Sequence, residues 1–290
     1  MNRLRGPAIA FAPEHWWETL RFRLIGRPLF VAGMRRLASA DSGLDAASRA
    51  QLQRSVAEQL LAHLRARIDF HGLENLPRTS HVVVALHEGI ADVLCLARLP
   101  CALRFVAREE VFEWPWIGPA LRRMQHIAIE PEQAALGIRA LLRHADAVLR
   151  AGEHVVFFPQ GTVLGIETAF QPGAFRVARL LQAPILPIVL TGSHRIWEHP
   201  FSARLRYGQR AAVAVLPAVP THDVRGIDPA QLSRDLQRRM KTVALSGDLP
   251  EPRRFVPERD GFWDGFTYDI DADFPALRAR VERHRATPTG

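Results

Sequence analysis

At 290 residues the chain can bury a substantial core, and its two cysteines, Cys95 and Cys101, lie in an apolar stretch, so no disulfide framework is implied. The formal net charge of +8 comes almost wholly from arginine, Lys241 being the one lysine, and it suits anionic lipid, phosphorylated substrates or nucleic acid. Nucleic acid is set aside because the arginines are dispersed, with no zinc-ligand spacing and no aromatic RNA-binding block.

Residues 1–13 open with a basic stretch, but their apolar portion is short and runs into Glu14, His15 and two tryptophans, which does not fit a cleaved signal. No long uncharged apolar run occurs, so no membrane-spanning helix is predicted. Residues 16–37 mix Trp16, Trp17, Leu20, Phe22, Leu24 and Ile25 with Arg21, Arg23, Arg27, Arg35 and Arg36, and Gly26-Arg27-Pro28 is expected to break them into two short helices. Tryptophan favours the water–lipid boundary and arginine favours anionic headgroups. A membrane-docking pair led by Trp16, Trp17, Arg21 and Arg23 therefore fits, and so does an amphipathic pair packed on the domain's own core.

A third helix is predicted over 46–65 from the apolar stripe Leu52, Val56, Leu60 and Leu64. Strands are predicted over 68–71, 81–86, 103–107, 127–129, 155–158, 185–190 and 212–216. Helices are predicted over 92–99, 132–150, 173–181 and 229–245. Strands alternating with helices give an α/β fold: a mostly parallel central sheet covered by helices on both faces, with an N-terminal amphipathic helical segment. The aromatic, acidic stretch 260–270 and a short basic helix over 275–285 close the chain, folded back on the domain.

Chemistry in such sheets gathers where strand ends meet helix starts, and two segments lie there. His87 follows the valine-rich strand and Asp92 opens the next helix, a proton acceptor with a carboxylate to fix its tautomer and steady the imidazolium. Phe158-Pro159-Gln160-Gly161-Thr162 forms a tight turn after another apolar strand. The sequence has no G-x-S-x-G nucleophile elbow; Thr191-Gly192-Ser193-His194 comes nearest and lacks the second glycine. A histidine–aspartate pair without a protein nucleophile suits direct attack by a substrate hydroxyl on an acyl carbon. A metal site on His87, Glu88 and Asp92 is not expected, since Ala91 stands where H-E-x-x-H needs its second histidine. His126, His154, His194 and His199 are read as structural or exposed.

Taken in order, His87 to Asp92, Phe105-Val106-Ala107-Arg108, Pro115-Trp116-Ile117-Gly118, the Phe158–Thr162 block, Gly173-Ala174-Phe175 and Ala183-Pro184-Ile185-Leu186-Pro187 resemble the glycerolipid acyltransferases that acylate lysophosphatidic acid and related lysolipids. The resemblance covers about residues 68–216. It implies that His87 is the general base on the acceptor hydroxyl and Asp92 its orienter. It also implies that Phe158, Pro159, Gln160, Gly161 and Thr162 line the substrate site, with backbone N–H groups of Gly161 and Thr162 facing a phosphate or oxyanion. Arg108 matches a basic position that would contact an anion, although a solvated surface arginine fits as well. Three departures accompany the likeness. Gln160 replaces a usual glutamate, Val163-Leu164-Gly165 stand where an arginine is common, and Glu130-Pro131 follow a strand where an acceptor-binding arginine is expected. Missing arginines favour a less charged acceptor than lysophosphatidic acid, unless Arg122, Arg123 or Arg176 substitute.

The chain is expected to divide into N-terminal amphipathic helices that suit membrane docking or packing on the core (1–66), an acyltransferase α/β domain (67–250) and a C-terminal extension packed on the domain (251–290). The expected protein is a cytoplasmic enzyme held peripherally on the cytoplasmic membrane. Its partners are membrane lipids, a lysolipid acceptor and an acyl-thioester donor. It would need no cofactor beyond acyl-CoA or acyl carrier protein as co-substrate. A catalytically inactive lipid-binding protein of the same fold is the alternative.

Overall fold

The computed structural model describes residues 16–129, 134–198 and 205–287, so the reading of residues 1–13 and of His199 lies outside the described residues. Helices α1 (Trp16–Arg21), α2 (Arg27–Ala38) and α3 (Ala46–His63) precede strand β1 (Arg67–His71). There follow β2 (Val82–Ala85), α4 (Ala91–Leu96), β3 (Leu103–Arg108), α5 (Glu109–Phe112), α6 (Ile117–Arg123), β4 (Ile127–Ile129), α7 (Ala134–Arg150) and β5 (His154–Phe157). Then come α8 (Gly173–Leu181), β6 (Ile185–Thr191), α9 (Ser193–Ile196), β7 (Arg210–Val215), α10 (Thr221–Gly226), α11 (Pro229–Ala244), α12 (Pro257–Asp260) and α13 (Pro275–Ala286).

The seven strands form one sheet in the order β1-β7-β6-β2-β5-β3-β4. Every pairing is parallel except β6 with β7, so β2 to β6 run one way and the edge pair β7 and β1 runs the other. The sheet is thus mostly parallel, and the connection through α9 returns the chain beside β6 in reverse. Residues of β2 are fully buried, as a central strand covered on both faces requires. Alternation then divides the core. Val83, Val156 and Leu186 face α2, α3, α4 and α6, whereas Val82, Val155 and Ile185 face α7, α8 and α11.

The amino-terminal helices depart from expectation at Gly26-Arg27-Pro28. The chain keeps winding there through a π-helical turn, Phe22–Gly26, in which Arg27 N–H reaches the Phe22 carbonyl. A wider turn accommodates Pro28, which brings no N–H and a bulky ring, without ending the helix. Met34 and Leu37 of α2 are buried against the core, while Trp16, Trp17, Leu24 and Ile25 are exposed.

A smaller cluster of Leu164, Phe255, Tyr268, Ile270 and Val281 packs residues beyond 250 on the loop that follows β5. Backbone pairs reinforce it, Ile166 N–H to the Arg253 carbonyl at 2.9 Å and Ala169 N–H to the Asp269 carbonyl at 2.8 Å.

Two histidines at structural positions are held neutral by their surroundings. His154 Nδ1 accepts the His81 N–H at 3.2 Å, and His126 Nδ1 accepts the Phe105 N–H at 3.1 Å. Burial pushes His154 down to about 4, helped by the neighbouring His81, and His126 down to about 3, helped by Arg104 and Arg49. The unfolded chain takes up these protons near pH 6.5 and the folded chain does not, so stability falls as pH drops below 6.5. For His154 the loss between pH 7 and 5 is about 2 kcal/mol. His154→Asn, which keeps an acceptor without a titrating ring, should flatten the pH dependence of urea unfolding by that amount; an unchanged slope would refute the assignment.

Candidate active site

The carboxyl ends of β6, β2, β5 and β3 lie side by side, and the candidate residues follow those ends. Leaving β2, the chain from His87 to Ile90 wraps around the carboxylate of Asp92, the second residue of α4, whose exposure is 0%. Asp92 Oδ2 accepts His87 Nδ1–H at 2.7 Å, Glu88 N–H at 2.6 Å and Gly89 N–H at 3.0 Å. Close wrapping requires glycine at 89, where a Cβ would stand 2.7 Å from the Glu198 carbonyl oxygen. With Nδ1–H donated to a carboxylate, Nε2 is the basic nitrogen of His87, whose side chain is 21% exposed. The His87 ring stacks on Phe158, with centroids 4.0 Å apart and planes 18° from parallel.

Gln160 joins the two segments. Its Oε1 accepts the His87 N–H at 2.7 Å and its Nε2 donates to the Gly165 carbonyl at 2.9 Å, with the residue 2% exposed. An amide satisfies both partners, since one end accepts and the other donates. A carboxylate would set a second acceptor against the Gly165 carbonyl. Gln160 therefore has a geometric role that its sequence position does not disclose.

The rest of the turn is ordered around it. The Pro159 carbonyl accepts the Gln171 N–H at 2.7 Å, which brings the start of α8 beside the turn. Gly161 has φ +68°, and its N–H donates to the Phe158 carbonyl at 3.1 Å, so that donor is already engaged. Thr162 Oγ1 is buried without a hydrogen-bond partner. Arg108 ends β3 and pairs with Glu110 at 3.3 Å on the surface. Among the other arginines, Arg122 pairs with Glu113 at 3.2 Å, Arg123 Nε donates to the Ala38 carbonyl at 3.2 Å, and Arg176 is exposed on α8.

Residues Trp16, Trp17, Arg21 and Arg23 form a separate surface on α1 and the π-turn. Trp16 and Trp17 stack with centroids 3.7 Å apart and are 54% and 65% exposed. Arg21 lies over the Tyr207 ring at 4.7 Å, and Glu18 accepts the Tyr207 N–H at 3.4 Å, which tie α1 to the body of the domain; Arg23 is exposed.

Four residues absent from the expected site stand behind the dyad. Ser193, next to the end of β6, donates its hydroxyl to Asp92 Oδ1. Glu88, 4% exposed, accepts His194 Nδ1–H at 3.0 Å and the Arg253 N–H at 2.9 Å. His194 is thus a partner of the carboxylate beside the dyad. Ser193 follows a strand end as His87 does, and that placement is the signal in the sequence that points to it.

The family model described as Acyltransferase matches residues 67–191. The chain is 29% identical over 139 residues to the 1-acyl-sn-glycerol-3-phosphate acyltransferase of Bacillus subtilis (strain 168), covering 47% of this chain and 68% of that one. It is 31% identical over 160 residues to the chloroplastic LPAT1 of Arabidopsis thaliana, covering 54% of this chain and 44% of that one. The Pseudomonas aeruginosa enzyme of the same name is 28% identical over 155 residues, with 53% and 59% covered. The chain therefore spans less than two thirds of the Arabidopsis and Pseudomonas relatives. The crystal structure of the 1-acyl-sn-glycerophosphate acyltransferase PlsC of Thermotoga maritima shares the fold, with TM-score 0.63 and 18% identity over 80% of this chain and 97% of that one. Residues 67–191 carry the match to the Acyltransferase family model, and the relatives and the solved structure named here are all called 1-acyl-sn-glycerol-3-phosphate or 1-acyl-sn-glycerophosphate acyltransferases.

The bridging role of Gln160 is open to test. In Gln160→Glu the carboxylate can satisfy Gly165 only when protonated, which raises its folded pKa above the unfolded value. Stability relative to the parent should be least affected at low pH and should decline as pH rises from about 4 towards 7. Urea unfolding at several pH values reads the difference, and a gap independent of pH would remove the argument.

Proposed function

We propose that the protein moves a fatty acyl group from a thioester, acyl-CoA or acyl carrier protein, to the hydroxyl of a lysophospholipid. The observation that carries this reading is the His87–Asp92 pair, with Nδ1 tied to the buried carboxylate and Nε2 left as base. His87 Nε2 takes the proton of the acceptor hydroxyl as its oxygen attacks the thioester carbonyl carbon. The tetrahedral intermediate collapses with cleavage of the C–S bond, and the imidazolium returns its proton to the departing thiolate. An ester and a free thiol result. Asp92 stabilises the imidazolium between the two transfers.

The relatives are named for 1-acyl-sn-glycerol 3-phosphate, which makes that lysolipid the acceptor of first choice. The arginine departures and the surface pairing of Arg108 and Arg122 favour a neutral or zwitterionic lysolipid as the second. An intact base and orienter weigh against a silent lipid-binding protein. Purified protein with acyl-CoA and a lysolipid panel, read by mass spectrometry, should yield the diacyl product. His87→Ala should lower the rate roughly a hundredfold or more. A variant as active as the parent, or no thioester consumed with any acceptor, would end the enzymatic reading.

Access to a lipid acceptor is supported by the exposed apolar surface of Trp16, Trp17, Leu24 and Ile25, bordered by Arg21 and Arg23. No described helix is long and apolar enough to cross a membrane, so we assign contact at the interface. The protein should float with vesicles containing anionic phospholipid. Changing Trp16 and Trp17 together to alanine should weaken that association, and indifference to both lipid charge and substitution would rule the surface out.

A further inference from the structure

We infer that Ser193 is a positioning residue for the His87–Asp92 dyad, an inference that deepens the acyl-transfer reading and rests on it. Three donors converge on Asp92 Oδ2 alone: His87 Nδ1–H, Glu88 N–H and Gly89 N–H. A carboxylate held at one oxygen can still turn about its Cβ–Cγ bond, because rotation there is soft. Oδ1 is held by the Ser193 hydroxyl, delivered from the end of β6, the strand beside β2. Anchoring both oxygens from two strands fixes the plane of the carboxylate and, through Oδ2, the tilt of the imidazole against Phe158.

The hydroxyl has one proton and two carboxylates within reach, since Glu88 Oε2 lies 3.3 Å from Ser193 Oγ. Glu88 already accepts from His194 Nδ1 and from the Arg253 backbone, so the Ser193 proton goes to Asp92, its nearer partner. Ser193 itself is 0% exposed. Backbone bonds keep its segment in place: Trp197 N–H to the Ser193 carbonyl at 3.2 Å, and Ala91 N–H to the Trp197 carbonyl at 3.2 Å. The segment that carries Ser193 thus also grips the first residue of α4. His194 and Glu88 hold it from the other side.

Removing the hydroxyl leaves more negative charge on Asp92 for the imidazolium to meet. In Ser193→Ala the titration of His87 should move upward by about half a pH unit or more, and the acid limb of the kcat profile should move with it. kcat should fall roughly tenfold with KM for either substrate little changed, and Ser193→Thr, which restores a hydroxyl, should recover much of the loss. The experiment pairs steady-state kinetics with NMR titration of histidine-labelled protein, the His87 signal being assigned by its absence in His87→Ala. Thermal melts confirm that each variant is folded. An unmoved His87 titration, or a rise in KM at constant kcat, overturns the inference. If the parent transfers no acyl group to any lysolipid, the functional reading fails, while the NMR titration still decides the role of Ser193.

Discussion

The rest of the structure depends on how a fully buried carboxylate is satisfied. Asp92 has no exposure to water, and an ion so placed carries a penalty of several kcal/mol unless it is hydrogen-bonded on all sides. Its four donors come from the turn after β2 and from Ser193, two residues past the end of β6. No stretch of contiguous chain could supply them. The sheet order places β2 and β6 side by side, and it puts β5 on the other flank, so that Gln160 meets His87. Site and topology are therefore one requirement seen at two scales.

That requirement draws in parts of the chain outside the span matched by the family model. Phe22 and Phe30, from the amino-terminal helices, meet the buried Trp197 edge-on at 5.4 and 5.1 Å. The carbonyls of Trp197 and Glu198 accept N–H groups of Ala91 and Ile90, so the aromatic contact ends at the turn that cradles Asp92. From the carboxyl-terminal side, Arg253 N–H reaches Glu88, while Glu167 accepts Phe255 N–H at 2.8 Å and pairs with Arg254 at 2.5 Å. The exposed aromatic helix, the turn around Asp92 and the terminal extension share a single packed unit.

What could be read from the sequence follows from range. His87 and Asp92 are five residues apart and succeed a valine run, so local pattern and strand-end logic reveal both. Ser193 and Asp92 are separated by 101 residues, and His194 and Glu88 by 106, distances over which spacing carries no signal. The strands were visible because a doubly covered strand is continuously apolar, but an apolar run does not state its direction, and the reversal of β7 and β1 was hidden. The π-turn was hidden too, because Gly-Arg-Pro ordinarily ends a helix and only the room for a wider turn lets it continue.

Gln160 shows why departures from a pattern are better weighed together. The resemblance leads one to expect a glutamate at 160 and an arginine shortly after it; here Gln160 and Val163-Leu164-Gly165 stand in their places. A carboxylate at 160 would add a third acidic group beside Glu88 and Asp92, one hydrogen bond from the His87 backbone. An ionised carboxylate there would favour the imidazolium over the neutral ring. With an arginine nearby that charge is balanced; without one it stands uncompensated beside Glu88 and Asp92. Losing the carboxylate and the arginine together removes both members of that pair, so the two departures are one electrostatic change.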